Sequence, residues 1–87
     1  MDIERNKVTG SCLRQMRKEA GLTQLQVALR MRRTQSFVSK VENADRELSL
    51  VEAFLYAAAL DASYDDLIDR VHDGLVDSGL YPTPEAI

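Results

Sequence analysis

The sequence predicts an all-α domain of five helices, and three observations predict it. Apolar residues recur three and four positions apart, the spacing of one helix face. Helix starts are marked by hydroxyl side chains able to accept a bond from a free first-turn N–H, at Thr23, Thr34, Ser49 and Ser63. Two of them are capping boxes, Thr23 with Gln26 and Ser49 with Glu52. Finally, only about three residues, Arg32 to Thr34, separate two of the helical patterns. A break that short forces a sharp corner, the geometry of a helix-turn-helix.

Residues 1 to 7 are polar and expected to be loose. The first helix is expected from about Thr9 to Ala20, with Leu13, Met16 and Ala20 as its buried stripe and Gly21 as a left-handed cap. The second runs from about Gln24 to Met31 and is marked by Leu25, Val27, Ala28 and Met31. The third runs from Gln35 to Asn43 and is marked by Phe37, Val38 and Val41. Ala28 is small where the third helix must approach the second, and Val38 can pack on it. That packing leaves Gln35, Ser36, Ser39 and Lys40 on the free face. They are short or hydrogen-bonding, the types that read base edges in a major groove.

Asn43 to Leu48 is a polar connection. The fourth helix, about Leu50 to Leu60, is apolar almost all round, so it is expected to be buried on several sides. Phe54 and Leu60 then join Ala28 and Val38 in the core, and Tyr56 is core as well. Asp61-Ala62-Ser63 breaks the chain. Ser63 caps the fifth helix, and Asp65 and Asp66 suit its positive first turn. Tyr64, Leu67, Ile68, Val71 and Leu75 form one continuous stripe along it. Gly74 weakens this helix by roughly 1 kcal/mol relative to Ala. Ser78-Gly79 is the stop, and Leu80 to Pro84 must be extended because each Pro disfavours helix before it. The expected division is a domain over residues 1–79, with its motif at 23–43, and a tail over 80–87.

Eighty-seven residues suit one domain, and an apolar fraction of 45% suffices for a small helical core. No stretch approaches the ~18 apolar residues of a membrane span, and Met1 to Lys7 lacks the apolar run of a secretory signal. The single Cys12 cannot form an internal disulfide, which fits a reducing cytoplasm. The net charge of −3 hides a bipolar chain. Residues 5–46 hold ten basic residues against three acids, a net +7, and residues 47–87 hold Arg70 against nine acids, a net −8. The positive half coincides with the helix-turn-helix, which favours a phosphate-facing surface there. Gln24, Arg32, Arg33, Thr34 and Arg46 are its candidate phosphate contacts.

Other chemistry finds no footing in the residues. His72 is the only histidine and has no metal-ligand spacing, so no metal is expected. Asp65, Asp66, Asp69, Asp73 and Asp77 recur at helical spacing but without a calcium-loop glycine. There is no Gly-rich phosphate loop and no nucleophile elbow, so neither an enzyme nor a cofactor is expected.

The stretch resembles the DNA-binding domain of the phage-repressor and Cro-type (XRE-like) helix-turn-helix regulators. The resemblance rests on Gly21-Leu22-Thr23-Gln24, Ala28, Gln35 to Glu42, and Arg46 with Ser49, and covers roughly Leu13 to Leu67. The chain departs from the pattern at Arg32 and Ala44, where the family usually has Gly, and at Leu48, often Pro. The resemblance implies a repressor-like fold and a partly buried ion pair between Arg17 and Glu42. It implies that Gln24 binds a DNA phosphate at its helix N-terminus, and that Asn43 and Arg46 also meet the backbone. The expected function is sequence-specific DNA binding by a homodimer on operator DNA, most simply as a repressor. The expected pairing surface is Ile68, Val71, Leu75 and Val76 with Leu80 and Tyr81, away from the basic face. The alternative is a protein-interaction module, an antitoxin whose acidic C-terminal half grips a partner protein.

Overall fold

Side-chain caps set where the helices begin. The computed structural model describes residues 2–82. Its helices are α1 (Ile3–Glu19), α2 (Gln24–Met31), α3 (Gln35–Glu42), α4 (Leu50–Ala59) and α5 (Tyr64–Asp77). In each, the preceding side chain accepts a bond from a first-turn N–H. Asp2 accepts from Arg5, Thr23 from Gln26, Thr34 from Phe37, Ser49 from Glu52 and Ser63 from Asp66. The boxes at Thr23 and Ser49 are both complete.

All five helices also end alike. Two bonds return to the last turns, one from a left-handed residue just past the helix and one from its successor, the pattern of a Schellman end. Around Arg32 they are Arg32 N–H to Leu29 O and Arg33 N–H to Ala28 O, at 3.2 and 2.9 Å. Such an end needs a positive φ, which Gly21 (+72°) and Gly79 (+70°) supply without strain. Arg32 (+56°), Ala44 (+65°) and Asp61 (+55°) adopt it with a side chain present.

Two sequence expectations fail here. The segment before Thr9 is not loose, because Asp2 caps α1 and pairs with Arg5 at 2.6 Å. The added turns lie along α5: Val8 faces Gly74, next to Cys12, and Arg5 Nε donates to Leu80 O at 2.8 Å. Gly74 therefore makes room for α1 as well as weakening its own helix. Nor is α4 buried on several sides. Tyr56, Ala57, Ala59 and Leu60 face the core, but Leu50, Val51, Phe54 and Leu55 are 65%, 66%, 50% and 49% exposed. The helix is short and packs chiefly on α2 and α5. Phe54 is thus outside the core, stacked on Tyr64 with ring centroids 4.0 Å apart.

The core proper is Leu13, Val27, Ala28, Val38, Val41, Tyr56 and their neighbours. Gly10, buried in α1, lets that helix lie against the end of α3. A Cβ there would stand 2.6 Å from the carbonyl oxygens of Val41 and Glu42. The α5 stripe divides: Leu67 is buried, Val71 packs on the core, and Ile68 and Val76 stay exposed. Val71 is thereby used within the chain. Leu75 and Leu80 are half-buried, and Tyr81 stands edge-on to His72, centroids 4.5 Å apart. The expected extension through Thr83 and Pro84, and the remainder of the tail, lies outside the described residues. No described helix is long and apolar enough to cross a membrane.

Candidate nucleic-acid interface

The corner between α2 and α3 is closed by Ala28 and Val38, both fully buried. Phe37, Val38 and Val41 turn inward and fix the roll of α3. Its opposite side must then face out. Gln35, Ser36 and Lys40 are exposed, with Ser39 beside them half-buried and accepting from Asn43 Nδ2 at 3.4 Å. The row carries two amide or ammonium donors and two hydroxyls, which suit the donor and acceptor edges of bases.

A buried carboxylate anchors this helix. The Glu42 side chain has no exposed surface. It accepts from Arg17 Nε at 2.6 Å, Arg17 Nη2 at 3.0 Å, Gln24 Nε2 at 3.0 Å and Arg14 Nε at 3.4 Å. Burial pushes the Glu42 carboxyl up, but bonds from Arg17, Gln24 and Arg14 and the Arg17 charge outweigh it, so its pKa is lowered. Arg17 also donates to Leu22 O at 2.9 Å. The cluster ties α1, α2 and the end of α3 into one frame. Gln24, a candidate phosphate contact, here spends its amide on Glu42.

The other candidate phosphate residues flank α3. Thr34 caps it, and Asn43 follows its last turn, accepting from Arg14 Nη2 at 3.1 Å. Arg32 is exposed and, among the described residues, has no carboxylate within ion-pair distance. Arg33 and Arg46 both lie over the Phe37 ring, 4.0 and 4.6 Å from its centroid, and both pair with Glu52. The sequence shows Glu52 only as a capping residue, because its pairing depends on two loops meeting in space. Arg14 carries no sequence signal for its place beside Glu42 either.

The other reactive types sit elsewhere. Cys12 lies in a groove between α1 and α5 of about 360 Å³. Burial pushes its thiol up, opposite to a reactive cysteine. His72 is 3.5 Å from the Asp73 carboxylate on the outer face of α5.

Comparison with known proteins agrees with this geometry. A family model described as helix-turn-helix matches residues 13–67. Among curated proteins no sequence matches. The restriction–modification controller protein C.AhdI from Aeromonas hydrophila is 34% identical, over 71% of this chain and 94% of its own, with a TM-score of 0.68. An XRE-family-like protein from Pseudomonas syringae pv. tomato is 33% identical, over 80% of this chain and 85% of its own, with a TM-score of 0.71. The clp gene regulator ClgR from Corynebacterium glutamicum shares the fold at 24% identity, over 82% of this chain and 92% of its own, with a TM-score of 0.75. With this match over most of its length and a recognition helix rolled outward by its own core, the chain belongs to the XRE-type helix-turn-helix family of DNA-binding transcriptional regulators, which are not enzymes.

Proposed function

We propose that the protein binds a palindromic operator as a homodimer and represses transcription from within the cytoplasm. The observation that carries the reading is the outward row of α3, with Gln35, Ser36, Ser39 and Lys40 as base-reading residues. Gln24, Arg32, Arg33, Thr34, Asn43 and Arg46 surround it as phosphate contacts. Phosphate contacts position the protein and base contacts specify the sequence. One α3 covers one half-site, so a second copy is needed for two recognition helices about 34 Å apart on one face of the duplex.

The pairing surface we assign is the outer face of α4, with Leu50, Val51, Phe54 and Leu55, continued by Ile68 of α5. These are exposed apolar residues of two adjoining helices, a patch that single folded domains rarely leave to solvent. A two-fold contact buries the same patch on both copies. It keeps Ile68 of the α5 stripe expected from sequence; Val71 of that stripe packs on the core of its own chain.

The test is a salt titration of DNA binding by fluorescence anisotropy. Log affinity should fall linearly with log salt, by about 0.9 per phosphate neutralised. A nearly flat dependence contradicts the phosphate face.

A further inference from the structure

Glu52, in the first turn of α4, serves several donors at once. Oε1 accepts from Ser49 N–H at 2.9 Å, which closes the capping box, and from Arg46 Nη1 at 2.8 Å. Oε2 accepts from Arg46 Nη2 and from Arg33 Nη1, each at 2.9 Å. The carboxylate lies behind the two guanidiniums: its side chain is 13% exposed, against 38% for Arg33 and 36% for Arg46. Phe37 of α3 supports both arginines from below and is itself buried. A carboxylate that accepts a guanidinium fork through both oxygens engages it as a phosphate does. Two cations and one anion leave the cluster with a single net positive charge.

We propose, building on the reading that this face meets DNA, that Glu52 is an internal stand-in for a backbone phosphate. It occupies donors of Arg33 and Arg46 that would otherwise bind the duplex, and so lowers affinity for DNA of any sequence. The effect is independent of sequence because phosphates carry none, and the base-reading row of α3 is untouched. It limits the protein held on non-operator DNA, which any genome offers in large excess. The device costs the fold nothing extra, since the same carboxylate caps α4.

The experiment is Glu52→Gln, which keeps the capping acceptor and the size but removes the charge. Binding is measured against a random-sequence duplex and a selected operator over a range of salt, with a thermal melt to verify folding. Affinity for both duplexes should rise about fivefold near ~0.15 M salt, with a log–log slope steeper by about 0.9, the signature of one more phosphate neutralised. Glu52→Met, which also removes the acceptor, should shift affinity in the same direction. With Arg33→Gln and Arg46→Gln already present, Glu52→Gln should change affinity by less than about twofold, since a screened charge alone acts weakly. Unchanged or weaker binding by the folded Glu52 variants overturns the proposal, as does a gain that persists without the two arginines. If the unaltered protein shows no binding to either duplex, the DNA-facing reading fails first and the proposal falls with it.

Discussion

Glu42 shows how much a single residue carries in a chain this small. Four bonds from three side chains meet on a carboxylate with no exposed surface. Arg17→Ala leaves that charge buried with its main partner gone, and should cost about 3–5 kcal/mol in chemical denaturation. Glu42 titrates below its ordinary value in the folded state, so its contribution is present above that value and is lost as pH falls through the folded one. Glu52 behaves likewise: bonds from Arg46 and the Ser49 N–H lower its pKa from 4.5 to about 2. Stability should therefore decline from about pH 4.5 towards pH 2. The decline should be shallower in Glu52→Gln, as pH-dependent melts will show. Arg32 makes a different point. Its φ of +56° is the conformation where the family usually places Gly. Arg32→Gly should raise stability by about 1 kcal/mol by relieving strain, yet weaken DNA binding through the lost charge. Ala44→Gly should relieve the same strain with DNA affinity unchanged. A lower melting temperature in both variants contradicts the strain argument. Of these residues, Arg17 and Glu42 were legible only through family resemblance, and Arg14 not at all, because a meeting of α1 with α3 leaves no spacing in sequence.

At the scale of elements, the caps were the legible part. Thr23, Thr34, Ser49 and Ser63 each mark the helix start that the structure shows, because capping is local and depends on residues three apart. Asp2 does the same for α1, but in a polar stretch with too few apolar residues to show a period. The apolar run of α4 misled for the converse reason: composition gives hydrophobicity but not how many neighbours exist to cover it. Gly10 was silent in sequence and decides how close α1 comes to α3. Gly10→Ala gains about 1 kcal/mol of helix propensity but puts a methyl against two backbone carbonyls that cannot rotate away. Overpacking of this kind outweighs the gain, so a net loss of about 1–2 kcal/mol is expected from thermal melts. On α3, Gln35→Ala or Lys40→Ala should lose about 1–3 kcal/mol on the operator and relax preference at one base position per half-site. Uniformly weaker binding to every sequence would assign those side chains to the backbone instead.

The whole molecule is bipolar in sequence and less so in space. The +7 segment is partly neutralised by acids from the other half: Asp61 pairs with Arg30, and Glu52 with Arg33 and Arg46. The salt slope should therefore be shallower than the basic residue count suggests. The proposed pairing belongs to the same scale. Phe54→Glu should convert the dimer to a monomer in sedimentation at micromolar protein, while Leu75→Glu should leave it paired; the reverse result returns the interface to α5.

In the proposed dimer, two outward-facing α3 helices read one duplex. This arrangement is tested most directly by selecting bound fragments from a random duplex library and sequencing them. Enrichment of a two-fold symmetric motif is expected, with half-sites about one helical turn apart, and lost in selections with Lys40→Ala at the position that residue reads. Recovery of DNA with no common motif, or of a single unpaired half-site, contradicts it.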